Sequence, residues 1–380
     1  DLAETALNEA LRNLAENEVD SIQKAQIYFR LAWLRRSQSK YREALEFSKQ
    51  ALALAPNNQQ IQGEYFLSIG RILFSSGYDV SAIIWLEKAE KAFEKEKTNS
   101  AKLDTYRFLS LAWSSKLNYQ TALKYTEKWV SIAENSPFKQ KYRQAFFDQG
   151  TILSVSGQSQ KASIAWKKGL NLSLEQKDSN QSRIFLTSLL LHSLDKAEMT
   201  KALDYLGQLE KLDTTQQFSF EIKLGKAIIA AFNGDENTSE KYFTELEKVD
   251  NSSEFILPIW KIIVAERNKD WEKVIKINQS LLKLTERDNF RDGFPGIYLT
   301  FAKAYFNLNK QEKALEYLEK SLAIIEEIRA SENTNLTLGI LETYHNAYRL
   351  LTQIKSANPQ ESFGLTDFLK ARFLKDRVNN

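Results

Sequence analysis

Residues 40–58 read KYREALEFSKQALALAPNN, and residues 310–328 read KQEKALEYLEKSLAIIEEI. Both stretches place a small residue, a leucine, an aromatic residue and a second small residue at the same spacing. Apolar and small residues three, four and seven positions apart share one face of an α-helix. The pattern therefore predicts that one amphipathic helix occurs at least twice in this chain.

The small residue of the first stretch, Ala44, has counterparts along most of the sequence. The same context returns at intervals of 35–40 residues, at Ala82, Ala122, Ala162, Ala202, Ser239, Val274 and Ala314. Twelve residues before most of these positions stands another small residue: Ala32, Gly70, Ser110, Gly150, Ala227 and Ala302. Two helices that each present a small residue at their crossing point can approach closely. The sequence predicts a repeated helix hairpin.

The turns inside these hairpins carry residues that tolerate a left-handed backbone, namely Gly77, Gly157, Gly234 and Asn309. A single hairpin cannot bury its apolar face alone, so neighbouring hairpins must stack on one another. Periodicity therefore predicts an array of stacked units and not one globular core, which agrees with a length of 380 residues.

Composition narrows the class of protein further. With 13 glycines and 5 prolines the chain has little turn chemistry for many strands, and its net charge of +3 argues against nucleic-acid binding. It has no cysteine, which excludes disulfides and thiolate nucleophiles, and no apolar run approaches the roughly 18 residues that cross a bilayer. We expect no membrane insertion. A cytoplasmic location is slightly favoured, and an exported protein whose signal peptide has been removed stays open.

The units resemble tetratricopeptide repeats. Counted from Ala25, the first unit matches the family pattern at Tyr28, Leu31, Ala32, Tyr41, Ala44, Ala51 and Pro56, and the last clear unit matches it at Tyr298, Phe301, Ala302, Tyr305 and Ala314. Leu190 and Ile262 replace the expected small residue in two middle units. The resemblance implies an all-α, right-handed superhelical solenoid of about eight to nine hairpins, several of them degenerate.

Three regions are expected from this pattern. Residues 1–20 form an N-terminal capping helix, residues 21–330 form the tetratricopeptide-like solenoid, and residues 331–380 form a C-terminal helix pair that leads into a further domain. In that pair, Lys370, Ala371, Arg372, Phe373, Leu374 and Asp376 resemble the end of bacterial tetratricopeptide arrays that precede a caspase-like protease domain of the CHAT type. The resemblance implies a sensor, docking or regulatory region whose protease lies outside this chain.

The residues for an active site are missing from the sequence. The two histidines, His192 and His345, lie among apolar neighbours without a second histidine or a cysteine nearby, and the sequence contains no GxGxxG, GxxxxGK[ST] or GxSxG motif. We expect no catalytic residue, no metal and no cofactor, and therefore no enzymatic activity in this chain.

The best candidate for a binding surface lies on the first helix of each hairpin, which lines the concave face in tetratricopeptide arrays. By that resemblance, the face would present Phe29, Trp33, Arg36, Leu67, Arg71, Phe74 and Arg107. Arginines bind carboxylates bidentately and aromatic rings offer rigid contact area, so this set suits an extended peptide or protein segment. In the alternative interpretation, Phe29 and Trp33 only pack between repeats and the arginines are solvated.

In the second half of the chain the same positions become apolar: Ile184, Leu191, Leu194, Leu224, Ile228, Ile256, Ile259 and Ile263. Either these side chains are buried by a tighter superhelix, or an apolar helix or loop of a partner covers them. The carboxylate clamp of chaperone-binding relatives has no match, because its first-helix position holds Trp33, Arg71 and Leu111.

Three functions remain open. The first is the interaction solenoid of a caspase-like protease. The second is a free-standing peptide receptor of the bacterial quorum-sensing kind, although residues 1–20 are too short for the N-terminal module that such receptors often carry. The third is a passive assembly scaffold that binds stable partner subunits.

Overall fold

The chain forms α-helices throughout the region that the computed structural model describes, which comprises residues 2–14, 18–55, 58–96, 99–116, 118–213, 218–248, 254–287, 294–330 and 337–355. All regular elements in these ranges are helical. They are α1 (Leu2–Arg12), α2 (Glu18–Ser37), α3 (Tyr41–Ala53), α4 (Gln59–Ser75), α5 (Asp79–Ala92), α6 (Ser100–Ser115), α7 (Tyr119–Glu134), α8 (Lys139–Val155), α9 (Ser159–Glu175), α10 (Ser179–Asp195), α11 (Met199–Leu212), α12 (Ser219–Phe232), α13 (Glu236–Glu247), α14 (Ile256–Arg267), α15 (Trp271–Arg287), α16 (Phe294–Asn307), α17 (Gln311–Ala330) and α18 (Thr337–Lys355).

Successive helices pair into antiparallel-type hairpins, as the sequence period predicts. In unit 1, helix α2 packs against α3, α4 against α5 and α6 against α7, and in unit 2, α10 packs against α11, α12 against α13, α14 against α15 and α16 against α17. The first helix of a hairpin also contacts the first helix of the next one, as α2 does with α4 and α4 does with α6. The predicted all-α fold of tetratricopeptide-like hairpins is confirmed.

Two compact units divide the chain. Unit 1 comprises residues 1–165 and unit 2 comprises residues 166–380, so the division falls within α9. Each unit has its own hairpins and its own buried side chains, and each is described separately below.

The small residues that set the period all lie in the seams between helices. Buried positions include Ala32, Ala44, Gly70, Ala82, Ser110, Ala122, Gly150, Ala162, Ala202, Ala227, Ser239, Val274, Ala302 and Ala314. Gly70 shows the close approach of two helices that the sequence predicts, because a Cβ atom there would lie 2.6 Å from Cγ of Leu86. Real Cβ atoms do not come this close to a neighbour, so at Gly70 these helices pack at a distance that glycine alone allows.

The turns inside the hairpins have the left-handed backbone that the sequence predicts. Gly77 has a φ of 77° and Asn309 a φ of 58°, and Gly157 and Gly234 behave alike. The amide of Tyr78 donates to the carbonyl of Leu73 at 2.9 Å, which closes the last turn of α4 in a Schellman arrangement. Ser39, Ala197 and Lys269 have the same conformation in three further hairpin turns, and Lys177 has it in the turn between α9 and α10.

Both ends of the array carry additional helices. Helix α1 packs against α2. Helix α2 begins at Glu18, which lies within residues 1–20, the segment expected to form the N-terminal capping helix. Helix α18 packs against α16 and α17 and corresponds to the first half of the expected C-terminal pair. The second half of that pair, including the pattern from Lys370 to Asp376, lies outside the described residues. Its resemblance to arrays that precede a protease domain therefore stays a prediction.

Candidate functional site

A cavity of about 400 Å³ opens in unit 1 between the first helices of three successive hairpins. We call it the unit 1 cavity. Helices α2, α4 and α6 form its walls, and the residue that precedes α6 closes one side. Its lining residues are Phe29, Trp33, Arg36, Gln60, Glu64, Leu67, Ser68, Arg71, Asn99, Ser100, Ala101 and Asp104. The cavity is therefore walled by both aromatic and charged side chains.

Five of the seven residues that the sequence predicts for a binding surface line this cavity, namely Phe29, Trp33, Arg36, Leu67 and Arg71. The structure brings them together from α2 and α4. The other two, Phe74 and Arg107, lie outside it. The Phe74 ring packs edge-on against Phe108 with 6.0 Å between centroids, and Arg107 is bound by Asp148. The binding role of all seven stays a prediction.

The two aromatic residues of α2 differ in their surroundings. The ring of Phe29 lies 5.1 Å from that of Tyr65 on α4, so this residue packs between hairpins as the alternative interpretation expects. Trp33 does not, because 58% of its surface is exposed. A tryptophan rarely stays this exposed, and burying it against a ligand would remove a large apolar surface from water. Trp33 is thus the aromatic residue available for contact.

Arg71 is held against an aromatic ring and lacks a hydrogen-bond acceptor at one nitrogen. Its guanidinium carbon lies 4.9 Å from the centre of the Phe108 ring, a cation–π distance that orients the side chain. Its Nε atom is buried and has no hydrogen-bond partner. Burial lowers the pKa of Arg71, and the positive charge of Arg36 lowers it further, while Asp104 opposes the shift. Arg71 is therefore a cation at the cavity that forms no ion pair within the described part of the chain.

Arg107, by contrast, is neutralised. Its Nε atom donates to Oδ2 of Asp148 at 3.1 Å, and Gln144 donates to Oδ1 of the same carboxylate at 2.9 Å. Asp148 is only 4% exposed. Burial raises the pKa of Asp148 more than the nearby Arg107 and the bond from Gln144 lower it. This pair lies between α6 and α8 and stabilises their contact.

Two carboxylates face the unit 1 cavity. Asp104 forms an ion pair with Lys141 of α8, so its charge is already compensated. Glu64 forms no ion pair or hydrogen bond with another described side chain, and burial raises its pKa. The cations at the cavity, Arg36 and Arg71, are likewise without an ion pair within the described part of the chain. The uncompensated charge around the cavity is therefore positive.

Asn99 caps α6 and leaves one donor unused. Its Oδ1 atom accepts from the amide of Lys102 at 2.6 Å, which satisfies the first turn of the helix. Because Oδ1 accepts this bond, the orientation of the side-chain amide is fixed, and the second polar atom of the group is the donor Nδ2. Nδ2 is buried and has no hydrogen-bond partner. The unit 1 cavity thus contains two residues with unsatisfied N–H donors, Arg71 and Asn99.

Sequence reasoning missed Glu64, Asp104 and Asn99. A signal existed for the first two, because Gln26, Glu64 and Asp104 occupy the same position in three successive first helices, directly after Ala25, Gly63 and Leu103. Asn99 gave no such signal. Asn58 caps α4 in the same way and is exposed, so the sequence alone does not separate a capping asparagine from one that also faces a cavity.

In unit 2 most basic residues of the first helices have carboxylate partners, and Arg267 instead lies 4.0 Å from the centre of the Phe232 ring. Arg183 pairs with Glu221, and the remaining pairs are Lys223 with Glu245, Lys226 with Glu210, Lys261 with Glu247 and Lys303 with Glu266. A second cavity of about 420 Å³, the unit 2 cavity, lies beside Lys261 and is lined from α12 to α15. None of its lining residues carries a buried side-chain nitrogen or oxygen without a partner. Charges here stabilise the helix packing.

The apolar positions expected on the first helices of unit 2 fall into three groups, of which the first, Ile184, Leu191 and Ile263, is half-buried. Leu194, Leu224 and Ile228 are buried in the helix seams, so for these the first of the two interpretations holds. Ile256 and Ile259 of α14 are exposed. A continuous apolar lining is therefore not formed by these residues.

The described residues hold no group of three or more histidine, aspartate or glutamate side chains placed to bind a metal ion. His192 lies edge-on to the ring of Trp166, with 5.3 Å between centroids, within unit 2. The side-chain surroundings of His345 fall outside the described part of the chain. None of the described helices is long and apolar enough to span a lipid bilayer.

Comparison with known families identifies the class of protein. The family model of the tetratricopeptide repeat matches residues 25–58 and 295–327. These are the hairpin of α2 and α3 and that of α16 and α17, the same two units that carry the stretches in which the period was first seen. The chain therefore contains tetratricopeptide repeats, and its fold is that of helical-repeat proteins that bind protein or peptide partners.

A curated relative and two solved structures are similar to this chain. A TPR repeat-containing protein of Methanocaldococcus jannaschii is 23% identical over 351 residues, which are 86% of this chain and 57% of that protein. The chain thus spans little more than half of that relative's length. Aspartyl phosphate phosphatase F from Bacillus subtilis has a TM-score of 0.54 at 12% identity, covering 81% of this chain and 72% of its own.

A Rap protein solved in complex with Competence and Sporulation Factor has a TM-score of 0.50 at 13% identity, covering 87% of this chain and 81% of its own. Identities this low show a shared fold and nothing about shared ligands.

Proposed function

We propose that unit 1 binds an extended peptide segment along the face formed by α2, α4 and α6. The observation that carries this proposal is the exposed Trp33 beside two uncompensated arginines at the rim of a cavity of about 400 Å³. Tryptophan and arginine are the residues most often found as energetic anchors of interfaces. In unit 2, by contrast, most basic residues of the first helices are paired with carboxylates, among them Arg183 with Glu221.

The spacing of the first helices suits an extended segment. Packed helices lie about 8–10 Å apart, and an extended chain advances about 3.3 Å per residue, so about three ligand residues span each helix. A ligand of about eight residues would then pass from Trp33 on α2, over Arg71 on α4, to α6. Such a ligand would use the cavity for one side chain and the groove for the rest.

A peptide-selection experiment tests this proposal. The 380-residue protein is incubated with a degenerate octapeptide library, and retained peptides are identified by mass spectrometry. We expect the protein to retain peptides. Their affinity should fall about tenfold or more in Trp33→Ala, because that change removes an interface anchor that contributes about 2 kcal/mol. Tyr78→Ala is the matched control, since Tyr78 is 65% exposed in the same unit and lies outside the cavity. Equal losses in both variants, or no retained peptide, would contradict the proposal.

Two larger contexts fit such a groove. The first is a free-standing peptide receptor, for which the Rap protein complexed with Competence and Sporulation Factor offers a precedent of similar fold. The second is the docking or regulatory region of a caspase-like protease, which rests on the pattern from Lys370 to Asp376. The gene sequence that follows Asn380 separates them: a β-rich segment with a histidine and a cysteine supports the protease, and a stop codon contradicts it.

A passive scaffold is the remaining alternative. In that case native purification would yield stable partner subunits and no bound peptide. Proteins with a tetratricopeptide-like fold are generally not enzymes, and we propose that this chain has no catalytic activity of its own. Any hydrolase or transferase activity that survives the double change His192→Ala and His345→Ala would have to arise elsewhere in the chain.

A further inference from the structure

The unit 2 cavity lies away from the face proposed to bind a peptide, and it has a lining of its own. The end of α12, the first two turns of α13, the second half of α14 and the start of α15 surround it. Its volume of about 420 Å³ is at the lower end of the range for small-molecule sites. A small chemical group therefore fits there, and the lining residues determine which one.

Three hydrogen-bond acceptors line this cavity from one side of α13. Glu236 and Glu240 are four residues apart, and Ser239 is adjacent to Glu240 and three residues from Glu236. Residues three and four apart are neighbours on a helix surface, and two like charges at this spacing repel each other. Both glutamates are exposed, and neither forms an ion pair with another residue in the described ranges. Their carboxylates are therefore accessible to a ligand.

Ser239 is the residue that indicates a ligand. It is 6% exposed, and its hydroxyl forms no hydrogen bond with any described residue. Its oxygen is nevertheless not sealed from solvent, unlike Nε of Arg71. Because Ser239 lines the cavity, the accessible part of its side chain opens there. The equivalent residue of the five preceding hairpins is alanine, so helix packing alone does not require this hydroxyl.

The lysine of α14 that lines the cavity is already compensated. Nζ of Lys261 is bound to Glu247 at 2.7 Å, and it lies 5.3 Å from the centre of the Phe243 ring. This lysine therefore adds no net charge to the cavity, and it already lies close to the aromatic ring there.

The remaining charges at the cavity are mostly negative. The carboxylates of Glu236, Glu240 and Asp270 line it, and Lys273 is the one lining cation without an ion pair in the described ranges. The N-termini of α13 and α15 each add about half a positive charge. About one negative charge is left over, which a single small cation compensates.

A primary ammonium on an alkyl chain matches this lining. It carries one positive charge and three N–H donors, as many as the acceptors on α13. Ala231, Val264 and Ala265 line the cavity from α12 and α14 and form an apolar wall for the alkyl chain. A quaternary ammonium has no N–H donor and binds aromatic faces, and the only aromatic residue in the lining, Phe243, already has Lys261 beside it.

We propose that the unit 2 cavity binds a primary alkylammonium group, which donates to Glu236, Ser239 and Glu240 and places its alkyl chain against Val264. This site is independent of the peptide face of unit 1. The group belongs either to a small linear amine or to a lysine side chain of a partner protein, and both sources present the same three donors.

Two ligands that differ in one group test the proposal. Pentylamine carries the ammonium, and pentan-1-ol is a neutral molecule of nearly the same shape. Each is titrated into the isotopically labelled protein, and the backbone amide resonances of Ser239 and Ala265 report binding. We expect pentylamine to bind at least tenfold more tightly than pentan-1-ol, because hydrogen bonds to a charged group are the stronger ones. This advantage should shrink at high salt, which screens the exposed carboxylates.

A lysine derivative distinguishes the two sources of the ammonium. Nα-acetyl-lysine methylamide has the same alkylammonium group attached to a peptide backbone. Binding at least as tight as that of pentylamine assigns the site to a lysine of a partner protein, and weaker binding assigns it to a free linear amine.

Variants of α13 show which residues are responsible. The double variant Glu236→Gln and Glu240→Gln should abolish the preference for pentylamine over pentan-1-ol. Ser239→Ala should weaken the binding of pentylamine about fivefold, and alanine fits there because it occupies the equivalent position of other hairpins. Glu272→Gln is the matched control, since Glu272 is an exposed carboxylate in the first turn of α15 that does not line the cavity. Circular dichroism verifies that each variant is folded.

Three results would overturn the proposal. The first is equal binding of pentylamine and pentan-1-ol, or no shift at Ser239 and Ala265 with about 10 mM pentylamine. The second is a preference for pentylamine that the double glutamine variant retains, because the cation would then lie elsewhere. The third is an equal loss in Glu272→Gln, because the overall charge of the protein would then explain the effect.

Discussion

The two cavities have nearly the same volume and opposite chemistry. The unit 1 cavity contains two arginines without ion pairs and two buried donors without acceptors. At the unit 2 cavity, Lys261 is bound to Glu247 at 2.7 Å, and no lining residue has a buried polar atom without a partner. The same hairpin scaffold builds both. Volume therefore does not distinguish the two cavities, whereas the charge and polar partners of their lining residues do.

The largest difference is expected between two tryptophans on first helices. Trp260 of α14 is 9% exposed and packs in unit 2, so Trp260→Ala should lower the free energy of unfolding by about 3–5 kcal/mol. Trp33→Ala in unit 1 should change it by less than about 0.5 kcal/mol, because its surface is largely exposed. Urea denaturation measures both. A comparable loss for Trp33 would mean that this residue serves packing and not contact with a ligand.

The comparison also requires that both units be tightly packed, and glycine substitutions measure this. A Cβ atom on Gly169 of unit 2 would lie 2.2 Å from the end of the buried Phe185 ring, and one on Gly70 of unit 1 would lie 2.6 Å from Leu86. Changing either to alanine should cost about 1–3 kcal/mol. At Gly207, where a Cβ meets nothing within 4 Å, alanine should be neutral or stabilise by about 0.5–1 kcal/mol.

Equal effects at Gly70, Gly169 and Gly207 would show that the helices can move apart. In that case the unsatisfied donors at the unit 1 cavity could also reach water, and they would no longer distinguish this cavity from the unit 2 cavity.

Arg107 is the arginine of unit 1 that resembles the paired cations of unit 2. Asp148→Ala removes its acceptor and that of Gln144, and should destabilise the protein by about 2 kcal/mol. Asp148→Asn should cost clearly less. Burial raises the pKa of Asp148 on balance, so a neutral amide escapes part of the penalty that the buried charge carries. Thermal unfolding of both variants tests this, and a larger loss in the asparagine variant would contradict it.

The smallest expected effect concerns Glu64. Burial raises its pKa, so the folded state keeps the proton to a higher pH than the unfolded state does. The resulting penalty is absent below the unfolded pKa and develops as the pH rises through the folded pKa. Glu64→Gln should therefore be slightly more stable than the parent at neutral pH and equally stable at acid pH. A Glu64→Gln variant that is less stable than the parent at neutral pH, by a margin that disappears on acidification, would contradict this and show that a cation holds Glu64 ionised.

The hairpins were predictable because small residues recur at a regular interval along the sequence. Ala32 and Ala44 are fully buried where two helices pack, so a larger side chain would not fit at either position. Their spacing is therefore visible in the sequence. The turns were predictable where glycine marks them and not at Ser39, Lys177, Ala197 or Lys269, where the helix ends impose a left-handed backbone on ordinary residues.

The candidate site was only partly predictable. Position within the repeat placed Arg36 and Arg71 on one face, and the structure brings both to one cavity. The state of their partners was not predictable, since Arg71 and Arg107 look alike in the sequence. Asp148 on the next first helix binds Nε of Arg107, whereas Nε of Arg71 has no hydrogen-bond partner among the described residues. Satisfaction of a polar group depends on residues about 40 positions away, which no local pattern contains.

The most direct measurement follows the indole Nε1–H resonance of Trp33 by nuclear magnetic resonance while the tightest peptide retained from the octapeptide library is added. We expect this resonance to shift in proportion to binding, while that of the buried Trp260 in unit 2 changes little. Binding of the peptide without a change at Trp33 would contradict the proposal that the face formed by α2, α4 and α6 binds the peptide.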